Sequence, residues 1–294
     1  MILSLLLATM VFAVALEVKP SDFARVLQTP KSVLCGLIPQ FILLPVGTWL
    51  ATLWLDLPAN LEVAMILVAS CPGGSLSNVV THYGRGNTAL SVSISAAASL
   101  IALVATPFNF AWMVGSNPNT AQWLKVLQID PSDIWFSLVL LLALPMSLGL
   151  VVATRLPALT ARIQKPLMRF ALVMLGLFIV AGVAKDRQLL NLGVLQIVAL
   201  VVLHNAAGLW LGWATAKVMR VSEADRRAVM IEGGMQNAGL ALGIIAVQFN
   251  SDVGMVLMAS LWGIWHIVSG MTLALRWRRK DKKTAAKSVL SNFQ

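Results

Sequence analysis

The stretch "IEGGMQNAGLALG", residues 231–243, places a carboxylate, two adjacent glycines, a methionine and two amide side chains within a run that is otherwise apolar. A second stretch, "CPGGSLSNVV" at residues 71–80, again joins paired glycines to an asparagine. It also contains Pro72, which removes a backbone donor and opens a helix. Both stretches therefore predict helices that are broken near their middle.

The composition of the whole chain is that of a membrane protein. Its 294 residues are 58% hydrophobic and only 12% charged, with a mean hydropathy of +0.82, and these values lie outside the usual range of soluble proteins. The net charge of +10 would suggest nucleic acid for a soluble domain, but here the charges form short clusters between apolar runs of about 20 residues. We therefore expect a lipid bilayer as a partner and no nucleic acid, and the sequence indicates no obligatory protein partner.

The apolar runs predict about nine transmembrane helices in a single all-α domain over residues 1–294. The first run is interpreted as a spanning helix, because no positively charged segment precedes it as in a signal peptide. The connections are short except at residues 114–131, so no separate soluble domain is expected. The predicted helices lie at about 1–17, 32–54, 61–82, 88–113, 132–154, 167–184, 190–217, 226–248 and 253–275.

Basic residues are distributed unequally between the two ends of these helices. One set of alternate loops, together with the C-terminal tail, receives 19 of the 22 Lys and Arg residues, whereas the other set receives Lys125, Lys185 and Arg187. Positive residues accumulate on the cytoplasmic side of membrane proteins. The distribution predicts a cytoplasmic C-terminus and, with nine crossings, an N-terminus outside.

The two interrupted helices, the third and the eighth, occupy matching places in the two halves of the chain. Polar residues also precede both interruptions, with Gln40 on the helix before the first and His204 and Asn205 on the helix before the second. A broken helix is tolerated in lipid where its freed backbone groups line a buried or watery cavity. Matching interruptions are typical of inverted-repeat secondary transporters, whose sites lie near the bilayer midplane.

Glu232 is the acidic residue that the pattern places deep in a span, whereas Glu62 lies near a helix start. An unpaired carboxylate at that depth costs about 3 kcal/mol, and no Lys or Arg lies at comparable depth in the sequence. A bound metal cation and a protonated Glu232 both remain open. Hydroxyl, amide and carboxylate ligands favour a hard cation such as Na⁺, and Ser91 and Ser95, four residues apart, share one helix face.

The three histidines give no sign of an enzyme. A hydrolase needs a nucleophile that is held by a base and an orienting group, and no serine motif in the sequence supplies these roles. His82 lies near a helix end, His204 is interpreted as a packing or hydrogen-bonding residue, and His266 is open to either packing or substrate contact. We therefore predict a protein that is not an enzyme.

Longer motifs resemble the bile acid:sodium symporter family, especially its bacterial members. The resemblance runs over nearly the whole chain and implies a multi-pass protein of the bacterial inner membrane. It also implies a core domain, at about 32–113 and 190–275, whose two discontinuous helices cross, and a panel domain, at about 1–17 and 132–184, against which the core moves. The motifs are "LEVKPSDF", "CPGGSLSNVVTHYGRGNTALSVSISA", "VVLHNAAG", "IEGGMQNAGLA" and "WHIVSG".

The resemblance further implies two Na⁺ sites that share Glu232. Gly233 and Met235 would contribute through their backbone oxygen atoms. The first site would be formed by Ser77, Asn78, Ser91, Ser95 and Glu232. The second site would be formed by Gln40, Glu232, Gly233, Met235 and Gln236.

The function implied is a sodium-coupled symporter that imports a small organic anion by alternating access. Bile acids, pantoate-like acids and other carboxylates are all compatible with the resemblance. The alternative is a proton-coupled or sodium-independent organic anion transporter that uses a protonated Glu232. A passive channel would have no reason to assemble two cation sites.

The anion is expected beside the cations. Half-helix N-termini at the breaks present backbone amides and partial positive charge. We expect the anion to contact Ser75, the Leu76 amide and the Asn237 side chain, with His266 as a further contact.

This chain departs from the family pattern in three respects. Many members have a His-Asn pair in the last helix where this chain has His266 and Ile267, so its substrate is expected to differ from that of bile-acid-binding relatives. Gly233 replaces a bulkier residue, a change that a backbone ligand survives. The chain also begins where the second helix of many bacterial members does, which implies a smaller panel or different dimer contacts.

Overall fold

The computed structural model describes residues 2–18, 26–185 and 193–291, and within these ranges the chain is helical apart from short connections. Several helices begin at a proline, which fits the first turn because its missing N–H has no intrahelical partner there. The helices are α1 (Ile2–Ala15), α2 (Pro30–Leu55), α3 (Ala59–Ser70), α4 (Leu76–Tyr83), α5 (Thr88–Ser116), α6 (Pro118–Val126), α7 (Pro131–Arg155), α8 (Pro157–Lys185), α9 (Gly193–Val218), α10 (Glu223–Gly234), α11 (Ala238–Gln248) and α12 (Val253–Ser291).

Five helices of the described ranges are long and apolar enough to cross a membrane, namely α2, α5, α7, α9 and α12. Shorter apolar helices include α3 and α11. The prediction of an all-α polytopic membrane protein is therefore confirmed. The count of nine spans and the inverted repeat stay predictions.

Both predicted helix breaks are present. α3 ends at Ser70 and α4 begins at Leu76, while α10 ends at Gly234 and α11 begins at Ala238. The two interruptions meet in an isolated antiparallel bridge between Gly73 and Gln236.

Backbone hydrogen bonds join the two breaks on either side of that bridge. The Gly74 amide donates to the Met235 carbonyl oxygen at 3.2 Å, and the Asn237 amide donates to the Pro72 carbonyl oxygen at 2.7 Å. Unpaired backbone groups are costly in an apolar medium. Each break supplies hydrogen-bond partners for backbone groups of the other. The breaks therefore form a single crossing.

The helix before the first break contains a π-helical turn over Pro39–Leu43 that the sequence pattern did not predict. Pro45 has no N–H to donate to the preceding turn. The Phe41 carbonyl oxygen instead accepts a hydrogen bond of 2.9 Å from the Asn109 side chain. Such π-turns are frequent at functional sites, and this one carries Gln40.

Two helix boundaries differ by about ten residues or more from the predicted spans. α8 begins at Pro157 instead of about 167, and α12 continues to Ser291 instead of ending near 275. In both helices, charged residues limit the apolar run but do not end the helix, since Lys and Arg are good helix formers. The connection at 114–131 also contains a short helix, α6.

Close backbone approaches fix the helices around the site. A Cβ atom on Gly208 of α9 would lie 2.6 Å from the Gly233 carbonyl oxygen, and one on Gly149 of α7 would lie 2.8 Å from the Phe12 carbonyl oxygen. Glycine is therefore required for α9 to pack on α10 and for α1 to pack on α7. α1 also packs on α8 and α11. The division into core and panel stays a prediction.

Candidate cation and substrate site

Glu232 lies in the last turn of α10 and its side chain is fully buried. Three serine hydroxyls from α4 and α5 converge on its Oε1 atom: Ser77 at 2.6 Å, Ser91 at 2.5 Å and Ser95 at 3.2 Å. The Ser95 hydroxyl also lies 3.4 Å from the Asn78 Oδ1 atom. The structure thus brings together all five residues predicted for the first cation site.

A second cluster of polar atoms surrounds Gly73. A Cβ atom on this residue would lie 2.6 Å from Gln40 Nε2, 2.9 Å from Glu232 Oε2 and 3.5 Å from the Met235 carbonyl oxygen. Glycine leaves this space open. Sequence reasoning used Gly73 as a helix breaker and missed its place at the centre of this cluster, since the contact depends on the crossing of distant segments.

Two buried amide oxygen atoms of residues predicted for the second cation site lack partners among the described residues. Gln40 Oε1 and Gln236 Oε1 are buried and accept no hydrogen bond from the described residues. An unsatisfied buried acceptor costs about 1–3 kcal/mol, and a hard cation would coordinate such oxygens directly. These atoms fit the second predicted site.

Gly233 is held by backbone contacts. Its carbonyl oxygen faces Gly208 and accepts a weak hydrogen bond of 3.5 Å from Gln236 Nε2. On the next residue, the Gly234 carbonyl oxygen accepts a hydrogen bond of 2.6 Å from Asn205. The sequence named Asn205 as a counterpart of Gln40, and the structure gives it a positioning role at the helix end.

Glu232 takes part in none of the ion pairs found within the described ranges, which join Arg226 and Arg227 to Glu223 and Arg227 to Asp281. A buried carboxylate without a basic partner needs a cation or a proton. A bound cation and a protonated Glu232 are therefore both chemically possible at this position.

Ser75 and Leu76, at the start of α4, are exposed. Asn237 lies at the start of α11, and its Oδ1 atom caps that helix by accepting a hydrogen bond of 2.9 Å from the Leu240 amide. A Cβ atom on Gly74 would lie 3.9 Å from the Asn237 Cα atom, so the two predicted substrate segments are adjacent. Capping is a structural role that the sequence prediction did not assign to Asn237.

His266 and His204 both belong to the buried interior. The His266 ring packs against Trp262 with centroids 5.1 Å apart, and its Nδ1 atom has no partner among the described residues. His204 Nδ1 accepts from Trp262 Nε1 at 3.2 Å, which leaves Nε2 to donate to Thr48 at 2.8 Å. His204 therefore has the hydrogen-bonding role that was predicted for it. A substrate contact of His266 stays a prediction.

Glu17 is a polar residue near the site that sequence reasoning missed. It follows α1 and accepts a hydrogen bond of 2.9 Å from Gln164 of α8. Its carboxylate also interacts with the Ser75 side chain. A cavity of about 740 Å³ adjoins Glu17 and Gln164. The acidic residue within the "LEVKPSDF" motif was the available signal.

An ion pair joins α10 to the C-terminal part of α12, which is rich in Lys and Arg. Arg227 donates to both carboxylate oxygens of Asp281, at 2.7 and 2.9 Å, and to the Gly84 carbonyl oxygen at 3.0 Å. The hydrogen bond from Arg227 holds the pKa of Asp281 below its ordinary value. This contact ties the tail of α12 to the start of α10.

Two broken helices that cross beside a buried carboxylate define a class of membrane protein, the secondary transporters. The family model described as "Sodium Bile acid symporter family" matches residues 4–191. The chain belongs to this family. Members of the family are transporters and not enzymes, and they are sodium-dependent.

Relatives extend the similarity over the remaining residues. The chain is 32% identical to the "Uncharacterized sodium-dependent transporter YocS" of Bacillus subtilis over 99% of this chain and 87% of that protein. It is 28% identical to the "Probable sodium/metabolite cotransporter BASS1, chloroplastic" of Oryza sativa subsp. japonica over 87% of this chain, and spans 61% of that longer protein. The human "P3 protein" is 27% identical over 76% of this chain and 46% of its own length.

Proposed function

We propose that the protein is a sodium-coupled symporter that imports a small organic anion by alternating access. Two Na⁺ ions would bind on either side of Glu232. The first would use Ser77, Asn78, Ser91, Ser95 and Glu232. The second would use Gln40, Glu232, Gly233, Met235 and Gln236.

The observation that carries this proposal is the pairing of one buried carboxylate with unsatisfied oxygen atoms. Glu232 has three hydroxyl neighbours, while Gln40 Oε1 and Gln236 Oε1 lack donors among the described residues. A serine oxygen that donates to the carboxylate still has lone pairs for a cation. All these ligands are oxygen atoms, which suits a hard ion such as Na⁺.

The anion would bind at the adjoining N-termini of α4 and α11, through Ser75, the Leu76 amide and Asn237. Partial positive charge at helix N-termini favours an anion there. His266 would contribute only after a change of packing, since its side chain is buried. Sodium would raise anion affinity because it orders the same broken segments.

Alternating access would move a core, formed by the crossing and its neighbours, against a panel of α1, α7 and α8. The protein would lie in the bacterial inner membrane with its N-terminus outside and its C-terminus in the cytoplasm. The unequal distribution of Lys and Arg supports this orientation.

Uptake by purified protein in liposomes tests the proposal. An imposed sodium gradient should drive accumulation of a labelled acid, and counterflow should need sodium on the same side as the substrate. Two Na⁺ with one monovalent anion carry a net positive charge, so a negative interior should assist uptake by about 2.3 kcal/mol per 100 mV. Accumulation driven by a proton gradient without sodium would instead support the protonated form of Glu232.

A further inference from the structure

We propose that a groove between α9 and α12 binds an anionic phospholipid, with an acyl chain in its apolar part and the headgroup at its basic end. The proposal is independent of the transported substrate. It rests on two adjoining cavities that share Arg276.

The first cavity is apolar and has a volume of about 570 Å³. Its walls include Trp210, Trp213, Trp265 and Val268, and its floor includes Met230 of α10. Trp210 is 59% exposed and Val268 is 49% exposed, a large apolar surface on two helices that are long enough to span a membrane. In a bilayer this surface contacts hydrocarbon, so an acyl chain is the chemistry it fits.

The second cavity is basic and follows α12 beyond Arg276, along a face formed by that helix alone. It has a volume of about 400 Å³ and is lined by Arg276, Arg279, Lys280, Lys283 and Thr284. None of these four cations forms an ion pair within the described ranges, because the neighbouring Asp281 is bound to Arg227. On α9, the Lys217 Nζ atom lies 4.8 Å from the ring centroid of Trp213, which lines the apolar cavity.

The order of these features along the helices matches the order of chemistry in a phospholipid. Tryptophans prefer the membrane–water interface and basic residues at a helix end attract anionic lipid headgroups. A free phosphate or an acidic peptide would use the basic cavity but would leave the apolar one empty. The continuity at Arg276 therefore favours a lipid.

The groove also touches the network that holds the crossing. Ser269 lines the apolar cavity, and its hydroxyl donates to Asn205 Oδ1 at 2.6 Å. Asn205 in turn donates to the Gly234 carbonyl oxygen at 2.6 Å. An acyl chain packed against Ser269 would support this network, so bound lipid is expected to raise the unfolding temperature.

Competition between two lipids tests the site. Full-length protein in detergent would be incubated with equal amounts of dioleoyl-phosphatidylglycerol and dioleoyl-phosphatidylcholine, and retained lipid would be counted by native mass spectrometry. We expect selective retention of phosphatidylglycerol, and about a fivefold loss of its affinity for each of Arg276→Gln and Arg279→Gln, the equivalent of about 1 kcal/mol per basic residue near the headgroup.

Matched variants separate the groove from general positive charge. Arg155→Gln and Arg162→Gln remove cations from the α7–α8 region and should leave retention unchanged. Thr272→Trp fills the apolar cavity and should expel the lipid. If this variant does not fold, Thr272→Leu, which extends the apolar wall, should strengthen retention.

Four results would overturn the proposal. One is equal loss of phosphatidylglycerol in the Arg276 and Arg155 variants. Another is equal retention of both lipids by the parent protein. A third is a folded Thr272→Trp protein that retains phosphatidylglycerol as the parent does. The last is displacement of the bound lipid by soluble glycerol phosphate.

Discussion

The side-chain amide of Asn205 donates a hydrogen bond of 2.6 Å to the carbonyl oxygen of Gly234. Gly234 ends α10, and the last carbonyl groups of a helix have no intrahelical donor. Ser269 of α12 fixes the Asn205 amide by donating to its Oδ1 atom. Two neighbouring helices thus hold the end of α10 two residues beyond Glu232.

Replacing Asn205 should weaken both the fold and the response to sodium. Asn205→Ala leaves the Gly234 oxygen unpaired, at a cost of about 1–3 kcal/mol, and loosens the backbone that presents Gly233 and Met235. We expect a lower unfolding temperature and a smaller stabilisation by NaCl relative to KCl. Asn119→Ala removes a similar bond, to the Leu57 carbonyl oxygen, and should lower stability alone. An unchanged sodium response in Asn205→Ala would contradict the positioning role.

Glu232→Gln should abolish sodium-driven uptake while leaving the protein folded, because the amide keeps the shape of the side chain but not its charge. Glu62 offers a matched control, since it is also fully buried but bonds to the Leu57 amide and Asn117 away from the crossing. Glu62→Gln should retain sodium dependence. Normal sodium-dependent uptake by Glu232→Gln would exclude a shared cation ligand.

Removing one ligand from either cation site should raise the sodium concentration that gives half-maximal uptake. Ser95→Ala affects the first site and Gln40→Ala the second, and a loss of about 1–2 kcal/mol would raise that concentration about 5- to 30-fold. Ser93→Ala is the control, because Ser93 is buried on the same helix and bonds to the Ala89 carbonyl oxygen. Equal sodium requirements in the Ser95 and Ser93 variants would argue against the first site.

Asn237→Ala should lose substrate affinity but retain stabilisation by sodium. Because Asn237 also caps α11, part of any effect would come from the lost cap, which is worth about 1 kcal/mol. Asn237→Asp keeps the capping oxygen but adds a negative charge, so it should repel an anion while preserving the helix. Asn87→Ala, which removes the cap from α5, should leave substrate binding intact. Calorimetry would place the anion elsewhere if Asn237→Asp bound it as tightly as the parent.

The Arg227–Asp281 contact predicts an acid-sensitive contribution to stability. The pKa of Asp281 is lowered in the folded protein, so its contribution is complete above the ordinary Asp value and is lost as pH falls through the folded value. At neutral pH, Asp281→Asn should reduce stability by about 1–3 kcal/mol, and this difference should shrink as pH falls below 3.8. Glu223→Gln alters a more exposed partner and should cost less, about 0–1 kcal/mol. A difference between the parent and Asp281→Asn that stayed constant with pH would be incompatible with this linkage.

The broken helices and the residues around Glu232 could be predicted from sequence because polar residues are rare in membrane spans and mark a site. The π-turn at Gln40 could not be predicted from sequence, since Asn109 of α5 supplies the compensating hydrogen bond. The sequence pattern also did not indicate that Glu62 is buried. Its position near a helix start was predicted correctly, but its enclosure depends on Asn117, which lies between α5 and α6.

Tertiary contacts also decide which polar residues reach the site. Glu17 belongs to the "LEVKPSDF" motif, but the motif does not indicate that the packing of α8 brings Gln164 to it. His266 lies in a family motif, but its ring is enclosed beside Trp262. Sequence pattern identifies the elements that meet, whereas side-chain orientation depends on how they pack.

The crossing has a consequence for biosynthesis. The Pro72 carbonyl group and the Gly74 amide find their partners in the second break, which the ribosome makes long after the first. During translation the first broken helix therefore enters the membrane with polar backbone groups that hydrocarbon cannot satisfy. A nascent chain that stops before residue 223 should remain at the insertion machinery, where protein or water shelters residues 71–75, and should be released into lipid only after α10 and α11 have been inserted.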